Sequence, residues 1–137
     1  MMIQIPLTIT TKGRGFYELN KEFSACIEKA GLTTGLCHVF LQHTSASLCI
    51  CENADPLVQR DLEAFMSRLI PDGDSICQHI AEGPDDMPSH VRTMLTQSFL
   101  TLPVMNARLA LGRWQSVYLW EHRLDGHKRN MVVTLYS

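Results

Sequence analysis

The 137-residue sequence predicts an α+β fold: a two-layer, mostly antiparallel (mixed) β-sheet with two main helices on one face. Three observations lead to this fold class. Segments with the two-residue alternation of strands outnumber those with helical periodicity. Only two long segments carry apolar residues at helical spacing. The last third of the chain consists of strand-like segments joined by short turns, which is typical of antiparallel pairing.

The first quarter of the chain is predicted to form two strands and a helix. Alternating apolar residues predict a strand over residues 1–11, and residues 16–19 add a short strand after a glycine-containing turn. Asn20 is a candidate N-cap for a helix over residues 21–30. Gly31 then ends that helix as a C-cap glycine would.

Two further strands and a longer amphipathic helix are predicted next. The strands cover residues 35–44 and 47–51. Asp55 or Asn53 caps the helix, and Pro56 suits its first position. The apolar residues of this helix line one side: Leu57, Val58, Leu62, Phe65, Met66 and Leu69.

The last third of the chain is predicted to be mainly β. A short helix over residues 89–96 starts after Pro88. Three strands follow, over residues 98–105, 108–122 and 129–136.

Composition places the chain among ordinary globular proteins, as one domain over residues 1–137. Hydrophobic residues make up 45% of the sequence and charged residues 19%, and the formal net charge is −2. Without a basic run we expect no nucleic-acid partner, and without an apolar run of roughly 20 residues we expect no membrane span. The five cysteines form no Cys-x-x-Cys pair, so we expect a reduced, cytoplasmic protein.

The segment from His79 to His90 is the first candidate for a functional site. It holds Glu82, Asp85 and Asp86 on a backbone broken by glycine and proline, and such loops often carry function. A solvated connection with incidental histidines is the alternative. A third imidazole, His43, stands near the end of a predicted strand.

Together His43, His79 and His90 resemble the three protein ligands of a catalytic zinc site, which keeps one position open. Asp85 and Asp86 could orient the imidazoles or act as a base on bound water. The spacing of His79 and His90 matches no zinc-finger signature.

Other polar residues stand where a structural role does not fully account for them. Glu52 and Asn53 precede a helix start, which is a natural seat for a phosphate or carboxylate. Gln115 and Glu121 fall on a largely apolar face of a predicted strand, where they need a partner or a function unless that face meets solvent. Arg123 is a candidate anion contact.

Four motifs combine into a resemblance that covers nearly the whole chain. They are Gln42-His43-Thr44-Ser45-Ala46-Ser47, Glu52-Asn53-Ala54-Asp55-Pro56, Asp85-Asp86-Met87-Pro88-Ser89-His90 and Gly112-Arg113-Trp114-Gln115. In this order and spacing they resemble the YjbQ family, also called UPF0047. The resemblance implies a two-layer α+β subunit that assembles as a homotrimer, and a metal site at His43, His79 and His90.

The resemblance also implies a weak thiamine-phosphate synthase activity, a transferase reaction on small phosphorylated substrates. Asp86 and Glu121 are then the expected catalytic residues. Substrate contacts are expected from Arg123 and from other polar and aromatic motif residues: Gln42, Thr44, Ser45, Glu52, Asn53, Trp114 and Gln115. Zinc is the metal that a three-histidine site favours, whereas the synthase chemistry calls for magnesium.

Two alternatives to the synthase are open at this point. One is a hydrolase that uses a zinc-activated water. The other is a non-catalytic trimeric metal-binding module. Arg113 and the pair Ile76-Cys77 depart from the family pattern, so the substrate is less transferable than the fold.

Overall fold

The computed structural model describes residues 1–137 and contains three helices and eight strands. In chain order these are β1 (Met2–Thr10), β2 (Gly15–Glu18), α1 (Asn20–Ala30), β3 (Gly35–Leu41), β4 (Ala46–Glu52), α2 (Pro56–Leu69), α3 (Asp86–Leu95), β5 (Phe99–Met105), β6 (Arg108–Leu109), β7 (Gln115–Glu121) and β8 (Lys128–Tyr136). No helix is both long and apolar enough to cross a bilayer.

The strands form two sheets. The larger has the order β1-β8-β3-β5-β6 and the smaller the order β2-β7-β4, and every ladder is antiparallel. The predicted α+β class is therefore confirmed, with two sheets where the alternation alone indicated one.

The division into two sheets comes from a break in the predicted strand over residues 108–122. The chain leaves the larger sheet at Leu109 and enters the smaller one at Gln115. Between them, the backbone N–H of Gly112 donates to the side-chain Oε1 of Gln115 at 2.7 Å, and the N–H of Gln115 donates back to the Gly112 carbonyl at 3.1 Å. This closed turn interrupts the alternation, so the prediction of one long strand was wrong.

One hydrophobic core joins the two sheets and α1. The inward positions of β3 and β8 alternate along each strand, as the two-residue period requires. Val117 and Leu119 of β7 and Phe23 of α1 belong to the same cluster of 17 buried residues. The full cluster consists of Leu19, Phe23, Cys26, Ile27, Leu32, Cys37, Val39, Leu41, Ala46, Leu48, Leu102, Val104, Val117, Leu119, Met131, Val133 and Leu135.

Helix α1 packs on the core side of β7, and a side chain at its first position ties it to that strand. The Asn20 Oδ1 accepts the backbone N–H of Val117 at 2.9 Å, and its Nδ2 donates to Ser116. The N-cap position is occupied by Leu19, without a side-chain cap, so Asn20 is not the predicted cap. Gly31 does end the helix, with a left-handed φ of 64°.

Helix α2 lies against the opposite side of β7, where its Glu63 accepts the indole N–H of Trp120 at 2.7 Å, so the two main helices do not share one face as predicted. Its N-cap is Asp55, as predicted, and the Asp55 Oδ1 accepts the N–H of Leu57 at 2.9 Å. No residue of α2 is buried, and Phe65 and Leu69 remain 63% and 69% exposed. The predicted apolar side of this helix is thus an uncovered surface.

Candidate metal centre

The first turns of α3 bring together two residues of the predicted site. Helix α3 begins at Asp86, three residues before the predicted start. Asp86 and His90 are four residues apart, so both point from one side of the helix. His79 approaches them from the preceding loop, and ligand atoms of all three residues lie within 4.8 Å of one another.

The spacing of these atoms is close to that of a shared metal ion. The Asp86 Oδ2 lies 2.8 Å from the His79 Nε2 and 3.2 Å from the His90 Nε2. Two ligands bound at about 2.0–2.1 Å to one tetrahedral zinc ion lie about 3.3 Å apart. The two distances from Asp86 lie within about 0.5 Å of that separation.

Exposure differs sharply among the three side chains. Asp86 is 3% exposed, whereas His90 is 30% and His79 50% exposed. The carboxylate is thus the buried part of the cluster, and the two imidazoles are the part that solvent reaches. This arrangement leaves one side open to solvent.

Neighbouring groups orient both helical ligands. The His90 Nδ1 lies 3.0 Å from the carbonyl oxygen of Thr44, so the N–H of that ring belongs on Nδ1 and the Nε2 lone pair faces the cluster. The Arg123 Nη1 lies 2.9 Å from the Asp86 Oδ1, so Oδ2 is the oxygen that faces the two imidazoles.

The same contacts hold the two aspartates ionised. Burial raises the pKa of Asp86, but the hydrogen bond with His79 and the charge of Arg123 outweigh it and lower that pKa. Burial likewise raises the pKa of Asp85, and hydrogen bonds from the Leu124 N–H and the Arg123 side chain lower it further than burial raises it. Both groups are therefore anionic near neutral pH.

His43 lies outside this cluster. Its Nε2 accepts the backbone N–H of Asn130 at 2.7 Å, and its Nδ1 lies 3.3 Å from the Nη1 of Arg129. Burial and the nearby Arg129 charge lower the pKa of His43. The structure thus brings His79 and His90 together with Asp86, and places the predicted third histidine against β8.

Glu121, a predicted catalytic carboxylate, is fully buried behind the cluster. It accepts hydrogen bonds from the Nε and Nη2 of Arg129, from the Thr11 hydroxyl at 2.9 Å and from the backbone N–H of Arg123 at 3.1 Å. A carboxylate satisfied by four donors has no free lone pair facing solvent for acid–base work. This placement supports a positioning role, because Glu121 holds the backbone that carries Arg123.

The predicted substrate contacts near His43 either hydrogen-bond other residues of the protein or are exposed on its surface. Thr44 supports His90 through its carbonyl group. Ser45 is buried, and its hydroxyl accepts a hydrogen bond from Arg129 at 3.0 Å. Gln42 is exposed. Arg123 is itself engaged by Asp85 and Asp86, so it is not free to bind an anion as predicted.

The remaining predicted contacts lie at the far end of the smaller sheet. Residues 46 and 121 pair at the end near the cluster, and Glu52 pairs with Gln115 at the other end. Six residue steps of about 3.4 Å separate the two ends by about 20 Å. Asn53 and Trp114 also lie at this far end, joined by a backbone hydrogen bond of 3.0 Å.

The predicted phosphate seat at the start of α2 is already occupied. The Glu52 Oε2 accepts the backbone N–H groups of Ala54 at 3.1 Å and Asp55 at 2.8 Å. The first N–H of the helix itself, that of Leu57, donates to the Asp55 Oδ1 at 2.9 Å. The side chains of Glu52 and Asp55 thus already take the donors that an anion would need, so the prediction was wrong for this helix terminus.

Comparison with known proteins decides the family. The family model described as UPF0047 protein YjbQ-like matches residues 5–137. The chain belongs to the UPF0047/YjbQ-like family.

Relatives and solved UPF0047 structures agree with this assignment. The chain is 46% identical over 127 residues to UPF0047 protein sll1880 of Synechocystis sp., covering 93% of this chain and 86% of that protein. It is 41% identical over 136 residues to UPF0047 protein YjbQ of Escherichia coli O157:H7, covering 98% of each. A YjbQ/UPF0047 crystal structure from Clostridium acetobutylicum superposes with a TM-score of 0.87 at 26% identity, covering 96% of this chain and 99% of that one.

These comparisons overturn the expected thiamine-phosphate synthase. The Synechocystis and Escherichia coli relatives bear only the family designation, and the Clostridium protein is described as uncharacterized. None of them is described as a synthase, so that prediction was wrong. Within the cluster the structure offers a chemical reason as well, since Arg123 is paired with Asp85 and Asp86 and is not free for a pyrophosphate leaving group.

Sequence reasoning placed Asp86 near the UPF0047 site but did not identify it as a ligand. The signal was present, because Asp86 and His90 have the four-residue spacing that aligns side chains on one helix. It was obscured because the helix was predicted to start only after Pro88. The supporting contacts of Thr44 and Arg123 join distant segments, so no local pattern could indicate them.

Proposed function

We propose that this UPF0047 protein binds one divalent transition-metal ion through His79, Asp86 and His90. The observation that carries the proposal is the convergence of two imidazole nitrogens on one carboxylate oxygen, at 2.8 and 3.2 Å. The Thr44 carbonyl supports it independently, because it directs the His90 Nε2 lone pair inward.

Zinc is the proposed ion. Two imidazoles and one carboxylate match the His₂-carboxylate ligand set of catalytic zinc sites. Magnesium is the weaker candidate, since it prefers oxygen ligands and retains several waters.

We further propose that the centre is catalytic and acts on a small molecule. A structural zinc site closes with four protein ligands, whereas the cluster has three. The half-exposed imidazole of His79 also forms one wall of a groove of about 460 Å³, lined in addition by Cys77, Ile80 and Met87. A bound ion would supply Lewis-acid polarisation of a ligand oxygen, and the protein would orient that ligand in the groove.

Metal content of purified variants tests the site. Wild type, His79→Ala and His90→Ala are loaded with Zn²⁺, desalted and measured by plasma mass spectrometry, and their dissociation constants are measured by titration calorimetry. Loss of one of three ligands is expected to weaken zinc binding at least 100-fold. His38→Ala is the matched control, because His38 lies on the larger sheet and bonds Thr101. Equal zinc content in all four proteins would refute the site.

His43→Ala distinguishes the geometric ligand set from the one that the family resemblance implied. We expect zinc affinity within about threefold of wild type, since the His43 Nε2 is engaged by Asn130. A loss as large as that of His79→Ala would place His43 among the ligands.

We also propose that the protein assembles as a homotrimer, through the outer face of the larger sheet. No helix covers this face, and the cross-strand pairs Phe40–Phe99 and Leu36–Tyr136 are exposed on it. Sedimentation velocity is expected to give three times the 15.5 kDa chain mass, and a monomer at micromolar concentration would contradict the assembly.

The five free cysteines support a reducing, cytoplasmic location.

A further inference from the structure

We propose that Arg123 sets the metal preference of the centre by holding Asp86 as a one-oxygen ligand. This inference rests on the proposed metal site and concerns which ion that site selects.

Arg123 contacts the end of the loop before α3 and the first residue of that helix, at three points in all. Its Nη1 lies 2.9 Å from the Asp86 Oδ1, its Nε donates to the Asp85 Oδ2 at 2.9 Å, and its Nη2 donates to the Glu82 carbonyl at 2.9 Å. The planar guanidinium therefore has a fixed orientation. Because Oδ1 of Asp86 faces this cation, only Oδ2 faces the two imidazoles.

The backbone beneath Arg123 is anchored too. Its N–H donates to the buried Glu121, which the buried Arg129 holds in turn. The next N–H, that of Leu124, donates to the Asp85 Oδ2 at 2.9 Å. The Arg123 side chain is only 15% exposed, so it has little freedom to release Asp86.

Ions differ in what they require of a carboxylate. Zinc accepts one oxygen at about 2.0–2.2 Å within a four-coordinate site. Calcium takes about 6–8 oxygen ligands at about 2.3–2.6 Å and commonly uses both oxygens of one carboxylate. A carboxylate with one oxygen committed to an arginine therefore favours the small, low-coordinate ion.

Replacing Arg123 by methionine tests this preference. Arg123→Met keeps a long side chain and frees the Asp86 Oδ1, so both oxygens become available to the ion. We expect zinc affinity to fall about 10–100-fold, as when other supporting partners of metal ligands are removed. Calcium and manganese affinity should stay level or rise, so the zinc-to-manganese affinity ratio should fall at least tenfold. All three ions are titrated into the apo-protein by calorimetry.

The Co²⁺-loaded proteins provide an independent reading of coordination number. Wild type should give the intense visible absorption of a four-coordinate centre, and Arg123→Met the weak absorption of a five- or six-coordinate one. Arg60→Met, an exposed arginine on α2, controls for the loss of one positive charge. Arg123→Lys keeps the positive charge but loses the planar guanidinium. It replaces Arg123→Met as the test if the methionine variant does not fold. The lysine variant should also lower the affinity ratio.

The outcomes separate this inference from the site itself. A wild type that binds none of the ions would refute the proposed site and this inference with it. A wild type that binds zinc, with an affinity ratio unchanged in both Arg123 variants, would refute the inference alone.

Discussion

Acidification is expected to destabilise the fold through His122. This residue is fully buried, its Nε2 lies 2.9 Å from the Ser47 hydroxyl, and its Nδ1 has no hydrogen-bond partner in the chain. Burial, reinforced by the charges of Arg92, Arg14 and Arg129, lowers its pKa from 6.5 to about 3. Below about pH 6.5, His122 therefore binds a proton in the unfolded chain but not in the native protein.

The sign and size of the effect follow from this difference in proton binding. The neutral imidazole contributes its full stability above the unfolded pKa of 6.5, and that stability is lost as the pH falls toward about 3. Within this window the loss approaches about 1.4 kcal/mol per pH unit. Between about pH 7 and about pH 5 it amounts to about 2 kcal/mol.

The assay compares wild type with His122→Gln, whose amide nitrogen can reach Ser47 but does not titrate. Urea unfolding followed by tryptophan fluorescence gives the free energy of unfolding at both pH values. Between the two pH values, the free energy of unfolding of wild type should fall by about 2 kcal/mol more than that of the variant. This excess should persist at high salt, because burial is the largest cause of the pKa shift of His122. An excess below about 0.5 kcal/mol would refute the reasoning.

Three further substitutions test other parts of the structure, each by equilibrium urea unfolding. Glu63→Ala removes the carboxylate that lies 2.5 Å from the Arg92 guanidinium and leaves that fully buried charge without its partner, so it should cost about 3–5 kcal/mol. Asp61→Ala, at an exposed position, should stay within about 0.5 kcal/mol of wild type, and equal effects would contradict the importance of the Glu63–Arg92 pair. Leu119→Ala opens a cavity between the sheets and should cost about 2–5 kcal/mol, and a change below about 1 kcal/mol would argue against the described core. Asp55→Ala removes the cap of α2 and should cost about 1 kcal/mol, whereas an unchanged midpoint would show that the cap contributes nothing.

The sequence predicted the fold where local patterns match the contacts that form. Alternation located β3 and β8, because every second residue of each strand enters the core. The Asp55-Pro56 pair identified the start of α2, because capping depends on a few adjacent residues. Tertiary contacts overrode the local signals elsewhere. Asn20 bonds β7 rather than capping α1, and the turn at Gly112 redirects the chain into another sheet.

The candidate site was predicted in part for the same reason. His79 and His90 stand out as residue types in a loop rich in glycine and proline, so composition was enough to select them. The exclusion of His43 depends on a hydrogen bond to Asn130, 87 residues later. The burial of Glu121 likewise depends on partners in β8 and after β1. Contacts across such separations leave no local trace in a single sequence.

The three ligands of the candidate centre belong to parts of the molecule with unequal resistance to local opening. Asp86 and His90 belong to a helix whose Ser89 and Arg92 are buried. His79 belongs to the irregular segment 74–81, whose residues are exposed apart from the half-buried Cys77 and which has one backbone hydrogen bond of its own, from the Cys77 N–H to the Asp74 carbonyl. Segments with so few buried contacts open at a small fraction of the global unfolding free energy. Ion exchange at the centre can therefore proceed by opening this segment alone, so a chelator should remove the metal from a chain that stays folded.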